Sequence, residues 1–415
     1  MTPPRHAIPV EPPTLLRPRG SNHVGMRQFN ERVVLQAIRL NGSLPKADLA
    51  RLTGLTAQTI GLITTRLEDD GLILKQERVR GRIGQPSVPL TLNPDGAFAI
   101  GIKVGRRSAD WLLVDFTGQV RQRHSLDYVF PDASTLLPAM AQHMQSLHDE
   151  LGDLRDRLVG VGVAAPFQLG GWHRMLGLSD AQSEAWNQID LRAQVQSMSD
   201  VPVSFAKDTS AACVAELVQG RGRDLKNFLY LFVDTFIGGG LVINSHLHGG
   251  VHGNAGAVAS LPMNLAHPSV QATIAPNQLI RLASLWELEQ RFSVHGLDPH
   301  AAYDERALTP PFATETQGWI NNAANALAHT VVSGTAFLDI DAVVVDGSFS
   351  RALLAQLIAA TQVALQHYNW EGLWSANVIA GLVGPDARAL GGALMPLHAN
   401  FAPDQDLFLK TGTPG

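Results

Sequence analysis

Three consecutive glycines, Gly238 to Gly240, follow one apolar run, Phe228 to Val233, and precede another, Leu241 to Ile243. Short apolar runs punctuated by glycine read as two strands joined by a tight turn, which commits this stretch to a sheet. The glycines expose backbone N–H groups and put no Cβ in the way, so they admit a phosphate or a second, close-packed backbone. A plain hairpin turn satisfies the same residues. Further strands surround it: Phe98, Ile100, Ile102 and Val104 alternate, Trp111 to Asp115 follows, and Val159 to Val163, Val201 to Val203 and Ala342 to Gly347 are short apolar runs. Helical spacing occupies Leu136 to Leu151. Strands mixed with helices over this length predict an α/β body with a ligand cleft between two lobes. No fixed-period repeat is visible.

At 415 residues the chain holds two or three domains with cores of their own. Its 45% hydrophobic and 17% charged residues are ordinary for a soluble globular protein. Asp234 interrupts the longest apolar run well short of a membrane span. The proline-rich start lacks the apolar core of a signal peptide, so the cytoplasm is the expected compartment, with no membrane partner. The single cysteine, Cys213, excludes an intramolecular disulfide and a cysteine-rich zinc site. Charge is divided along the chain. Residues 1–90 carry 13 Lys+Arg against 7 Asp+Glu, a charge of +6, and the remainder carries 19 against 30, a charge of −11. A basic head on an acidic body predicts that the head alone meets a polyanion.

Residues 1–26 read as a flexible tail, because prolines at 3, 4, 9, 12, 13 and 18 sustain neither helix nor central strand. Its Arg17 and Arg19 are available to DNA phosphates, or simply to water. Residues 27–95 form the first compact unit. Phe29, Val33, Val34, Ala37 and Ile38 make one helical face, ended by Asn41-Gly42. Pro45 is placed to open a second helix at its first position. Thr53-Gly54-Leu55 turns the chain, and Thr56 is a natural cap for a third helix buried through Ile60, Ile63 and Leu67. Two helices about a short glycine-containing turn make a helix-turn-helix. Its second helix would present Thr56, Ala57, Gln58 and Thr59 to base edges in the major groove, with Gln58 suited to adenine. Gly71 to Leu74 reads as a strand, Val88, Leu90 and Leu92 as its return, and the loop between carries Arg78, Arg80, Arg82 and Gln85. That hairpin completes a winged helix-turn-helix domain, with Arg66 and the wing residues set against phosphates or a narrow minor groove of double-stranded DNA.

The glycine stretch, followed by Gly249-Gly250-Val251-His252-Gly253-Asn254-Ala255-Gly256, resembles the second phosphate loop and the sugar loop of the ROK family of bacterial sugar kinases and sugar-responsive repressors. The head resembles that of ROK repressors at Asn30, Leu35, Ala47 to Leu55, Leu67, Gly71-Leu72 and Gly84-Gln85-Pro86, where the family has Gly-Arg-Pro. ROK kinases lack this head. The resemblance implies an actin/hexokinase-like ROK domain of two lobes over residues 96–415, which would bind effector and form the dimer.

The departures from the family are chemical. The kinases' first loop, Asp-x-Gly-Gly-Thr, reads Lys103-Val104-Gly105-Arg106-Arg107 here, and an amine cannot ligate magnesium. Lys103, Arg106 and Arg107 are left to receive an anionic ligand group, or to serve as surface cations. Asp234-Thr235 replaces the family's Gly-Thr. The family's Asn-Asp becomes Lys207-Asp208; the aspartate still accepts from a sugar hydroxyl, and Lys207 beside it serves the ligand or simply neutralises the aspartate. The sugar and zinc motif Gly-Glu-x-Gly-His becomes Gly256-Ala257-Val258-Ala259-Ser260, and Gln271, Thr273 and Gln278 lie near the places of the family's cysteines, so neither zinc nor any cofactor is expected. Gln182, His252 and Asn254 remain as further polar ligand-binding candidates, with Trp186 either stacked on a sugar or in the core. The expectation is a DNA-binding regulator, a repressor with a sugar-like effector, acting as a homodimer or tetramer on a palindromic operator and having no catalytic residues. The alternative is an ATP-dependent sugar kinase with an appended DNA-binding domain.

Overall fold

The computed structural model describes residues 23–77, 88–169, 179–264 and 277–403. The head comprises α1 (His23–Asn41), β1 (Ser43–Pro45), α2 (Lys46–Thr53), α3 (Ala57–Asp69), β2 (Ile73–Lys75) and β3 (Pro89–Leu92). Its strands pair antiparallel in the order β1-β3-β2. Thr56 caps α3 by accepting from the Thr59 N–H at 3.2 Å. Gly54 ends α2 with φ 71°, a conformation that a Cβ disfavours. Val34, Leu35, Ile38, Leu49, Ile60, Ile63 and Leu67 are buried together. Each such side chain contributes about 1.5–3 kcal/mol of transfer free energy before chain entropy is charged against it.

Three local expectations shift. The helix α1 begins at His23, four residues before the domain boundary drawn at 27, since no proline stands between Pro18 and Pro45. Pro45 ends β1 and is the N-cap of α2 rather than its first residue. Gly71 turns with φ 71°, so β2 starts at Ile73. The wing residues Arg78, Arg80, Arg82 and Gln85 lie outside the described residues, as do Arg17, Arg19, Gln271 and Thr273.

In the first lobe, β4 (Phe98–Val104), β5 (Ser108–Asp115), β6 (Val120–Asp127), β7 (Leu158–Ala165) and β8 (Val203–Lys207) form a sheet ordered β6-β5-β4-β7-β8. It is flanked by α4 (Ala133–Leu151), α5 (Asp180–Asn187) and α6 (Leu191–Gln196). The chain then passes through α7 (Asp208–Gln219) into the second lobe. There β9 (Phe228–Val233), β10 (Gly238–Ile243), β11 (His246–Leu247), β12 (Ala342–Gly347) and β13 (Asn377–Ala380) form a sheet ordered β11-β10-β9-β12-β13. Its outer layer is α8 (Leu279–Ala283), α9 (Leu285–Val294), α10 (Ala313–Leu338) and α11 (Arg351–Leu365). Each sheet joins an antiparallel three-strand meander to two further parallel strands. This is one topology used twice, the actin/hexokinase-like arrangement, and strand order is what repeats, not sequence.

Between the sheets α7 packs against α12 (Ala387–Phe401). The approach of α12 to α7, and to β7 beside it, requires glycine. A Cβ on Gly391 would lie 1.7 Å from the Ala211 carbonyl oxygen, and one on Gly162 would lie 1.9 Å from that of Gly392. The inner faces of both helices share one core with the head. Arg39 of α1 donates to the Phe116 carbonyl at 3.0 Å and lies 5.2 Å over the Phe116 ring, whose other neighbour is Phe401 at 4.7 Å. Burial lowers the pKa of Arg39 to about 10.

Candidate functional site

Two regions bring the candidate side chains together. The first is the start of α3. Thr56, Ala57 and Gln58 are exposed and Thr59 is half-buried. The Thr56 and Thr59 hydroxyls lie 2.9 Å apart, so both are engaged in the cap and Gln58 is the freer polar group. Contacts with the body run elsewhere: through Arg32 to the Ala402 carbonyl, from Arg223 to the Leu40 carbonyl, and from Arg157 to the Asp70 carbonyl past the other end of α3. Arg66 is ion-paired to Glu31 at 2.8 Å, so this guanidinium is already committed in part to α1. Sequence reasoning passed over three exposed or half-buried residues of the same face, Gly61, Leu62 and Thr65. Leu62, one turn after Gln58, is 56% exposed and borders a shallow groove with Met26, Arg27 and Asn30. Its signal was there in the spacing, since residues four apart share a helix face.

The second region is the junction of the lobes. Gly238 to Gly240 belong to β10 itself, not to a turn, and pair with Phe232 to Tyr230. A Cβ on Gly238 would fall 2.7 Å from the Thr209 side chain, and one on Gly240 would fall 2.6 Å from that of Cys213. Gly238 and Gly240 thus admit the helix α7, while Gly239 admits the backbone at Tyr230 and Gly256. The connection Asp234 to Ile237 is held by the lobe: the Ile237 N–H donates to the Ser284 hydroxyl at 3.0 Å.

Asp208 opens α7, where it accepts from the Thr209 N–H at 2.8 Å. Its cationic neighbour is Arg388 of α12, with Nη1 at 3.7 Å, and the same Nη1 is ion-paired with Asp234. Lys207 instead reaches Asn254 at 3.1 Å, and burial lowers its pKa against the pull of Asp208. Three candidates therefore stand together, Asp208, Lys207 and Asn254. His252 is exposed on the loop after β11. Gln182 lies within α5, with its side chain outside the described part of the structure. Trp186 is a core residue, 5% exposed, its indole N–H on the Pro131 carbonyl at 2.8 Å.

The cations of the first loop are not free for a ligand. Lys103 is buried and paired to Asp110 at 3.1 Å; burial and then Arg388 lower its pKa. Arg106 donates to the Leu169 carbonyl at 3.1 Å and stacks 5.0 Å over Phe236 of the other lobe. Arg107 crosses the lobes to Glu289 at 2.6 Å. Burial raises the pKa of Glu289, which also accepts from the Tyr303 hydroxyl at 2.7 Å; that hydroxyl lies 3.0 Å from the one on Thr235. Among the described residues no three or more His, Cys, Asp or Glu side chains are grouped to hold a metal, and no helix is long and apolar enough to cross a membrane.

A family model described as the ROK family matches residues 99–398, and one described as winged helix-turn-helix DNA-binding matches residues 30–73. The chain is 25% identical over 246 residues to the xylose repressor of Bacillus spizizenii, a stretch covering 59% of this chain and 62% of that repressor. It is 23% identical over 227 residues to the DNA-binding transcriptional repressor Mlc of Escherichia coli, covering 54% and 55%. Both matches thus take in less than two thirds of the relative. A crystal structure of a ROK family transcriptional regulator, homolog of the Escherichia coli MLC protein, superposes with TM-score 0.66 over 91% of this chain and 98% of that one at 17% identity, a likeness of fold.

Proposed function

The chain belongs to the ROK family, and on that footing we propose that it is a DNA-binding transcriptional regulator, a repressor whose two-lobed body senses a sugar or sugar-derived effector. The observation that carries this reading is the exposed start of α3, with Ala57 and Gln58 uncovered while the body holds the head by α1 and by the turn after α3. In this reading Gln58 reads a base, Thr56 and Thr59 hold the helix start in shape, and Arg66 with Arg78, Arg80, Arg82 and Gln85 meets phosphates or groove edges. Asp208, Lys207 and Asn254 supply acceptors and a donor to ligand hydroxyls, joined by His252 and Gln182. The likeness to a xylose repressor favours a sugar as the ligand class. A homodimer, or a tetramer of two such dimers, matches a two-fold operator.

Mobility-shift titration on the DNA upstream of the protein's own gene and its neighbours tests the reading, with D-xylose and D-glucose as trial effectors. A specific complex that weakens as salt rises, and that either sugar changes, is the expected outcome. Absence of any specific complex sinks it. The kinase alternative has Asp208 in its favour, but phosphoryl transfer needs metal and nucleotide positioning besides a base. Lys103, tied to Asp110 where an aspartate would serve magnesium, does not fit that group. A coupled ADP assay over hexoses and amino sugars is expected to show no turnover; turnover that Asp208→Asn abolishes would establish the kinase instead.

A further inference from the structure

Asp208 follows β8 of the first lobe and Asp234 follows β9 of the second. Arg388, in the first turn of α12, stands between them. Its guanidinium is defined by five observations. Nη1 is ion-paired with Asp234, and Nη2 is 3.2 Å from the Ser348 hydroxyl. The group lies 5.2 Å over the Phe232 ring, and its side chain is 11% exposed. Its Nε is buried without a hydrogen-bond partner among the described residues. Burial alone would lower the pKa of Arg388, but Asp234 and then Asp208 outweigh it, so the charge is permanent. Two carboxylates brought together from two lobes without a cation between them would repel each other or take up a proton or a metal.

We propose that Arg388 is a resident counter-ion, standing between Asp208 and Asp234 in place of a divalent cation, and that it is the residue that closes this cleft to metal–nucleotide complexes. It deepens the effector-site reading, because a cleft whose carboxylates are already neutralised is left to ligands that bring no metal. A metal could enter only by displacing a buried guanidinium whose other direct contacts among the described residues, Ser348 and Phe232, are neutral. The same feature explains why a single protein can keep the aspartate of a sugar kinase without its chemistry.

Manganese binding to the full chain, followed by electron paramagnetic resonance and by melting temperature, tests the proposal. The wild type is expected to take up no saturable Mn²⁺, and to ignore Mg²⁺ with AMP-PNP. Arg388→Ala is expected to bind one Mn²⁺ per chain about tenfold or more tighter than any residual wild-type uptake, the least that removing a unit charge from the site's edge gives. Its melting temperature should rise with Mn²⁺. Arg388→Lys, which keeps the charge, should behave as the wild type, and Asp234→Asn added to Arg388→Ala should abolish the new uptake. If Arg388→Ala fails to fold with and without Mn²⁺, Arg388→Gln, which retains a donor for Ser348, carries the same two outcomes. One Mn²⁺ per wild-type chain, or a folded Arg388→Ala chain that binds none, overturns the proposal. The mobility shift is read separately: loss of specific DNA binding alongside these metal results would sink the regulator reading and leave the counter-ion standing.

Discussion

Asp110 and Lys103 face each other across β4 and β5, and neither has much water. Burial works against the ionised form of Asp110, yet Lys103 and the Ser125 hydroxyl hold its pKa below the ordinary 3.8. Removing one partner of such a pair strands the other charge. Asp110→Asn should therefore lower stability at neutral pH by about 3–5 kcal/mol, read from denaturant melts. The sign with pH follows from the depressed value. The contribution of Asp110 is complete above pH 3.8 and is lost as pH falls through its lower folded-state pKa, so the gap between wild type and variant should close in acid below 3.8. A gap that stays constant down to the acid transition would mean that Asp110 is not what secures Lys103.

Among the helices, α3 contains a residue with no structural reason to be there. Gly61 sits inside the helix, and a Cβ placed on it meets nothing within 4 Å. Alanine there should raise stability by about 1 kcal/mol. If the open side of Gly61 is where DNA comes close, Gly61→Ala should also weaken operator binding, so melting temperature and affinity move in opposite directions; an unchanged affinity would take Gly61 off the DNA face. Gly391 of α12 behaves oppositely. Its absent Cβ is what lets α7 approach, and Gly391→Ala should cost about 1–3 kcal/mol or more through overpacking, measured the same way. These contrasts bear on what the sequence could reveal. The three helices of the head were legible because their periodicity, the Thr56 cap and the Gly54 stop act within a few residues. The run Phe98 to Val104 was legible as a strand because Phe98, Ile100, Ile102 and Val104 alternate, the period of a strand face. The work of Gly238 and Gly240 was not, because their partner, α7, is a separate element whose approach no local pattern encodes. Nor was the repeated sheet order, which is a matter of pairing between distant strands. Arg388 escaped for the same reason: a lone arginine near a helix start is ordinary until two aspartates from different lobes are found beside it.

At the scale of the molecule, α12 runs from the junction of the lobes to the seam between body and head. Its first turn carries Arg388 beside Asp208, and its last carries Phe401 against Phe116, on which Arg39 of α1 also rests. Its 15 residues make a rod of roughly 22 Å. Phe401→Ala should leave effector binding to the body intact, as read by calorimetry, while weakening the effector's influence on the mobility shift. An influence that persists in full would place the connection elsewhere. A single helix gripped at both ends has no preferred direction of traffic. If the body binds a sugar and the head an operator, as proposed, whatever factor the sugar imposes on the operator, the operator must impose on the sugar, since both are one exchange of free energy read from opposite ends. A duplex carrying the operator would then be, for the cleft, a ligand like any other, and the protein's grip on its sugar would depend on whether it was sitting on DNA.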